Sequence, residues 1–337
     1  MKKIYPILLK YGIVICIITF LIWLSFHHFT AKNWNDMLGA LKHARYLLLL
    51  PVFVLLMLSH VFRSLRWKQL IEPMGYNPPL FDLLCALLTG YLGNEFLPRG
   101  GEIIRCTLIT RRHKIPLEKL IGTIITERAF DFFCLLLLGL AIFFLQYDLV
   151  SVYVQNLLFH RPAHHTQGPS LRWPVIVAGI VVIAAIVFLT RRIVKTKPGF
   201  LKKIFKGFKE GFLSIMKLKG RWLFMTYTVL MWACYVFSTW LGCFAMQETE
   251  GLSLSAGLVM LFAGTLGIIL TPGGIAAYPL AIQSAVKLYN IGEDIGLAFG
   301  WLLWLSQFVF ITVFGTLAYI VITVRKRNYE KHSLSGA

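Results

Sequence analysis

Leu92-Gly93-Asn94-Glu95-Phe96-Leu97-Pro98-Arg99-Gly100-Gly101-Glu102 breaks one apolar run, and Leu266-Gly267-Ile268-Ile269-Leu270-Thr271-Pro272-Gly273-Gly274 breaks another. Both read Leu-Gly, four residues, then Pro and a Gly-Gly pair. Each follows a short apolar stretch and precedes helix-compatible sequence. Pro98 and Pro272 each free backbone groups that hydrocarbon cannot satisfy, so such a break persists only where protein or a watery cavity surrounds it. Paired Gly/Pro-interrupted apolar segments point to a site at the midplane of a transporter. Chance similarity in a glycine-rich membrane chain is the plain alternative, and topology argues against it.

Outward from these breaks, the chain is an all-α polytopic integral membrane protein. It is 57% hydrophobic, which excludes an ordinary soluble domain. Six full spans are expected, at about 8–28, 45–65, 120–146, 173–190, 222–245 and 295–323. The segment after the first break carries Glu102, Arg105, Arg111, Arg112 and Lys114, too many charges to cross lipid unaided. Residues 80–114 therefore read as a re-entrant hairpin, and 253–289 as a second, whose depth the sequence leaves open. The basic start and first apolar run look like a signal sequence. His27 and His28 stand where small residues would mark cleavage, so a retained first span is expected.

With the N-terminus in the cytoplasm, 26 of the 34 Lys and Arg fall inside, Arg63, Arg66 and Lys68 among them. Six fall outside. This bias predicts both termini cytoplasmic, in the cytoplasmic (inner) membrane. Three full spans then separate the hairpins, so they enter from opposite faces, which is the parity of an inverted-topology repeat. The whole of 1–337 reads as a single membrane domain. One half-repeat covers about 45–146 and the other about 222–323, joined through a basic amphipathic segment, 191–221. There Lys202, Lys203, Lys206 and Lys209 oppose a phenylalanine-rich face and are expected to rest on the anionic cytoplasmic leaflet. Trp23, Trp67, Trp173 and Trp222 fall near span ends, as in an aromatic belt. The net charge of +19 tracks the membrane faces, so nucleic acid is not an expected partner. Cysteines 16, 85, 106, 134, 234 and 243 lie in or beside apolar runs and read as buried thiols.

The span 120–146 holds Glu127, Arg128 and Asp131, at depths of roughly 10 Å for Glu127 and roughly 16 Å for Asp131. Each charge costs about 2.5–3.5 kcal/mol at the bilayer centre, so these groups are expected to face partners inside the bundle. Asn94 and Glu95 on the first hairpin's entering limb, Arg99 at its tip, and Glu102 and Arg105 beyond it are candidate partners. Such a network either only anchors the hairpin or lines a hydrated cavity. Gly100-Gly101 and Gly273-Gly274 are each expected to open a helix, presenting free N–H groups and a partial positive charge. With Arg99, Arg105 and Arg128 these suit a phosphate. An anionic phospholipid or polyprenyl phosphate is the expected ligand. Glu95, Glu102, Glu127 and Asp131 are the candidates for a charge network or proton coupling. No metal site and no cofactor are expected, since His160, His164 and His165 read as a solvated cluster.

These motifs resemble the membrane part of the lysylphosphatidylglycerol synthase/flippase family, which includes standalone members and proteins named as archaeal dolichol-sugar transferases. The family's Asn, Leu-Pro, Gly-Glu and Arg correspond to Asn94, Leu97, Pro98, Gly101, Glu102 and Arg105. Its Glu-Arg-x-x-Asp corresponds to Glu127, Arg128 and Asp131, and its late Pro-Gly-Gly to Pro272, Gly273 and Gly274. Ala276 replaces a later Gly, Pro279 stands where the pattern has Glu, and the last span offers Trp301 and Trp304 with no basic residue. The second half-site is thus more apolar than the pattern. The family's soluble aminoacyl-transferase domain has no counterpart in these residues, so lysyl-lipid synthesis is not expected. The resemblance implies a lipid flippase or translocator, not an enzyme. A membrane-embedded glycosyl- or headgroup transferase and a non-transporting scaffold or regulator are the alternatives. A homo-oligomer is compatible with any of the three.

Overall fold

The computed structural model describes residues 18–27, 29–97, 100–146 and 220–335, with residues 16, 215 and 218. The expected span 173–190, Trp173, the lysines of the basic segment 191–221, the His160 cluster, Pro98 and Arg99 lie outside the described residues, as does part of the first run. The described residues contain helices and no strands. We label the helices α1 (Ala31–Lys42), α2 (Leu49–Ile71), α3 (Leu80–Phe96), α4 (Gly100–His113), α5 (Leu117–Leu145), α6 (Arg221–Cys243), α7 (Leu254–Leu270), α8 (Ala277–Lys287) and α9 (Glu293–Ser335). The chain divides into two compact units, Met1–Ile124 with Leu218–Ala337, and Ile125–Lys217.

Local chemistry sets the helix ends. Thr30 caps α1: its hydroxyl accepts from Asn33 N–H, and Asn33 reaches back to the Thr30 N–H. Ser253 caps α7 through the N–H of Ala256. Pro79 precedes α3, where its missing N–H costs nothing. Gly75, at φ 85°, ends the turn after α2.

Four of these helical stretches are long and apolar enough to cross a bilayer: Tyr46–Met74, Leu117–Leu145, Arg221–Cys243 and Glu293–Val324. They turn apolar side chains outward. On α9 the surface stripe is Leu305, Val309, Val313, Leu317, Ile320 and Val324, at helical spacing. Polar groups go inward instead, including Ser59, His60, Arg63, Ser64 and Arg66 of α2. That arrangement suits a lipid solvent.

The two breaks produce two helical hairpins, α3/α4 and α7/α8. Their first limbs are the same length, 17 residues each, or about 25 Å, short of the ~30 Å hydrocarbon core. Each hairpin closes on small residues. In the first, Gly90 and Gly93 face Gly101, and a Cβ on Gly101 would run into the Gly90 carbonyl oxygen. In the second, Gly264 and Gly267 face Tyr278, with a Cβ on Gly267 only 2.8 Å from the Tyr278 Cα. Small residues are what let helix backbones approach this closely.

Helix α9 records how the hairpins are opposed. Gln283 Nε2, near the base of the second hairpin, donates to the Glu293 carbonyl at the start of α9 (2.9 Å). Arg112, at the base of the first, donates to the Ile322 carbonyl (3.2 Å). Glu293 and Ile322 stand about 43 Å apart along an α-helix, close to the full thickness of a bilayer with its interfaces. Between them lie the tips. Trp304 Nε1 donates to the Gly273 carbonyl (2.8 Å), and Gly315 packs against Leu88 and Leu92. The two hairpins thus point at each other from opposite ends of one helix. The spans that precede them, α2 and α6, pack together. Apolar clusters fix the frame: Trp67, Leu83, Ile109, Ile115 and Ile322 around the first hairpin, and Met260, Ile282, Val286, Phe299 and Leu302 around the second.

Three expectations need correction. Gly273-Gly274 do not open α8. They form a 3-10 turn with Gly273 at φ 60° and Gly274 at φ 73°, and the helix begins at Ala277. Trp67 is not a belt residue but is fully buried, its Nε1 donating to the Thr123 hydroxyl (2.9 Å), whereas Trp23 and Trp222 are at the surface. All six cysteines are free thiols, but Cys16 is exposed and Cys134 only half-buried.

Candidate functional site

The breaks meet tip to tip. The carboxylate of Glu95 lies against the backbone of Gly273, so that a Cβ there would collide with it. Glu95 Oε2 is buried, with no hydrogen-bond partner among the described residues. Burying a carboxylate oxygen without a partner is costly in apolar surroundings, so its place where two interrupted helices converge marks a candidate site.

Asn94 shapes the tip. Its Oδ1 accepts from the Gly101 N–H (2.9 Å), and the Gly100 N–H donates to the Leu97 carbonyl (2.9 Å). The Gly274 N–H is likewise spent on the Thr271 carbonyl (3.0 Å). Three of the four glycine N–H groups expected to receive a phosphate, those of Gly100, Gly101 and Gly274, are therefore engaged within the tips. Asn94 acts here as a cap, and the glycines serve close packing and the turn. Buried positive charge beside the first hairpin comes from side chains.

Those side chains are Arg63, Arg66 and Arg105, all buried. Arg105, from α4, stacks its guanidinium over the Trp67 ring at 4.1 Å. Arg63 donates to the Tyr91 hydroxyl (2.5 Å), and the His60 ring packs against the same ring at a tilt, 4.8 Å between centroids. Arg63 and Arg66 were expected at an aqueous membrane flank; the structure sets them inside the bundle. The bias of basic residues survives without them. The signal that could have found them is helical spacing: His60, Arg63 and Trp67 follow one another a turn apart on one face of α2. Glu102 is half-buried on the first turn of α4.

The base of the first hairpin is held by charge. Asp82, 6% exposed, accepts from Arg112 Nε (2.6 Å) and faces His113 Nε2 (3.0 Å). Glu127, Arg128 and Asp131 belong to the second compact unit. Glu127 is fully buried, and Arg128 pairs loosely with Glu127 (3.9 Å) and Asp131 (4.0 Å). Among the described residues no cluster of His, Cys, Asp and Glu has the makings of a metal site.

The class is thus an all-α polytopic membrane protein built around two opposed, interrupted hairpins. The chain belongs to the lysylphosphatidylglycerol synthase transmembrane-region family, whose profile matches residues 7–315. It is similar to a UPF0104 membrane protein of Methanocaldococcus jannaschii, 22% identical over 304 residues, covering 83% of this chain and 85% of that protein. It is also similar to glycosyltransferase AglD of Haloferax volcanii, 26% identical over 98 residues, or 29% of this chain and 16% of that protein. No solved structure gives a significant match.

Proposed function

We propose that the protein is a lipid translocator that passes the headgroup of an anionic phospholipid or polyprenyl-phosphate-type lipid along the junction of the two hairpin tips, while the acyl or prenyl tails stay in the bilayer. The observation that carries this reading is the meeting of Glu95 with Gly273 beside α9, between that helix's contacts with the two hairpin bases. Interrupted helices converging at mid-depth are how transporters with inverted repeats build a site that both faces can reach in turn. The first limbs, at about 25 Å, fall short of the ~30 Å hydrocarbon core, and the hairpin bases stand a bilayer's thickness apart. In this reading both hairpins are re-entrant, one from each face, and the basic-residue bias puts both termini on the cytoplasmic side of the inner membrane. Polar groups turned inward and apolar groups turned outward support passage of a headgroup through protein rather than through hydrocarbon. The protein is not an enzyme in this reading. Its family membership supports a role with membrane lipid.

The test is reconstitution of the full chain in vesicles that carry a trace of headgroup-labelled fluorescent phosphatidylglycerol. Dithionite destroys only outward-facing label. A translocator exposes inner-leaflet label, so the quenched fraction rises above that of protein-free vesicles. An unchanged fraction, with phosphatidylglycerol and with a polyprenyl phosphate alike, would sink the proposal. The partial likeness to a glycosyltransferase favours one second reading, transfer of a lipid-linked sugar. Release or transfer of sugar from a polyprenyl-phosphate sugar by the purified chain would support that instead.

A further inference from the structure

The four acids that the sequence offers for charge or proton work are placed very differently. Glu127 and Asp131 lie within reach of the Arg128 guanidinium, at 3.9 Å and 4.0 Å. Glu102 stands on the first turn of α4, where the helix dipole favours its ionised form. Glu95 stands one residue before the end of α3 and meets the opposite hairpin. A Cβ on Gly273 would stand 3.4 Å from the Glu95 Cα and 3.2 Å from its Cδ, so backbone and carboxyl both abut the second tip.

The donors of that tip are spent elsewhere. The Thr271 hydroxyl donates to the Ile275 carbonyl (3.0 Å), the Gly274 N–H to the Thr271 carbonyl, and Trp304 Nε1 to the Gly273 carbonyl. Packed against α3 are α2, α4, α9 and the 272–274 turn. On α2, His60 and Arg63 meet Tyr91, one turn before Glu95, while Arg66 reaches α6 and Lys68 pairs with Glu72. On α4, Glu102 and Arg105 are the charged residues that follow the tip. Residues 295–324 of α9 carry one titratable side chain, Tyr319, and residues 271–276 carry none. Arg99 lies outside the described residues. Among the described residues no group hydrogen-bonds to Glu95 Oε2, which is buried.

An ionised carboxylate only accepts hydrogen bonds, and burying it unpaired costs far more than burying the neutral acid. With the tips together, the neutral acid is the cheaper form. With the tips apart and water between them, the carboxylate is. Proton binding and closure of the tips then favour each other by the same factor.

We propose that Glu95 is a proton-binding site and that its proton holds the two hairpin tips together. The proton comes from water and forms the carboxyl O–H. It returns to water when the tips part, and nothing is oxidised or reduced. That this proton drives a lipid rests on the translocator reading; the site itself does not.

The site is tested on the purified full chain in lipid by infrared difference spectroscopy from acid to alkaline pH, following the C=O stretch of protonated carboxyl groups. Wild type and Glu250→Gln, which alters an exposed acid, show a band that disappears as pH rises, and Glu95→Gln lacks it. A Glu95→Gln spectrum identical to that of wild type overturns the site. Where Glu95→Gln does not fold, Glu95→Asp keeps a carboxyl on a shorter stem; a shifted band supports the site, and an unmoved one overturns it. Closure is read by hydrogen–deuterium exchange of residues 266–276, wild type against Glu95→Gln at each pH. Equal exchange at acid pH and faster exchange of wild type at alkaline pH support the link, and equal exchange throughout overturns it. In vesicles, a pH difference shifts the steady-state leaflet distribution of labelled phosphatidylglycerol for wild type and not for Glu95→Gln. A shift that Glu95→Gln keeps, or one that follows a sodium difference and not a pH difference, overturns coupling through Glu95. No translocation by wild type, with the band and the exchange as expected, sinks the translocator and leaves the proton site standing.

Discussion

Gly273→Ala is the substitution that interrogates the tip junction most directly. Gly273 sits at φ 60°, where an L side chain costs about 1–2 kcal/mol. A Cβ would also collide with the Glu95 carboxylate, with its Cδ only 3.2 Å away. Overpacking of this kind costs about 1–3 kcal/mol, toward the low end here because the obstructing atoms end a side chain that can swing. The total is about 2–4 kcal/mol. The two parts separate in a double-mutant cycle. Glu95→Ala removes the obstacle and leaves the backbone cost, so Gly273→Ala should cost about 1–2 kcal/mol in that background. The assay is reversible unfolding in mixed micelles, followed by tryptophan fluorescence, for wild type, both single variants and the double. A coupling of about 1 kcal/mol or more is expected. Equal cost of Gly273→Ala in both backgrounds would refute the contact and, with it, the convergence of the two hairpins.

Gly101→Ala should be worse than Gly273→Ala, because its Cβ meets the Gly90 backbone carbonyl, which no rotamer can clear; poor recovery of folded protein by size-exclusion chromatography is the readout, and wild-type recovery would contradict the packing described. Ala276 is buried at φ 62°, φ 62° being strained for any side chain, so Ala276→Gly should raise stability by about 1 kcal/mol in the same micelle assay, and a loss would show the methyl's packing to outweigh the strain. Asp82→Asn leaves Arg112 without its buried carboxylate and should cost about 3–5 kcal/mol. Arg45→Ala, which breaks an exposed pair with Glu250, should cost under about 1 kcal/mol; similar losses for these last two would contradict the burial assigned to the hairpin base.

Much of this architecture was legible because membrane insertion imposes simple rules. Apolar runs of bilayer length marked α2, α5, α6 and α9, and a Pro followed closely by a Gly-Gly pair marked the two tips, since each is a physical requirement of the backbone in lipid. The helix start at Gly273 was misplaced for a different reason. A Gly-Gly pair serves an N-terminus and a left-handed turn equally well, and only the tertiary position of Ala277 decides between them. Arg63 and Arg66 were read as flank charges because a basic residue near the end of an apolar run usually snorkels to water. Their burial depends on hydroxyl and ring partners drawn from α3 and α6, between 28 and 172 residues away in sequence for Arg63, and single-helix patterning does not carry such partnerships.

The two hairpins share a backbone plan but divide the chemistry unequally. The first holds Asp82, Glu95, Glu102 and Arg105 and borders the buried arginines of α2. In the second, the side chains near the turn are neutral: Trp304 caps the Gly273 carbonyl, and Gln307 donates to the Tyr278 hydroxyl (3.2 Å). Pro279 and Ala276 stand where the related pattern carries Glu and Gly. A polar path that follows only the first hairpin has a consequence for alternating access. Under the proposed translocation the charged hairpin would interact with the headgroup throughout, whereas the neutral one would have little differential affinity to offer. A ligand shifts a conformational equilibrium only through differential affinity for its states. In the proposed translocator the first hairpin is therefore where headgroup identity would be read, and the second the wall it would move against, with Glu95 and Gly273 as the point where the two would part.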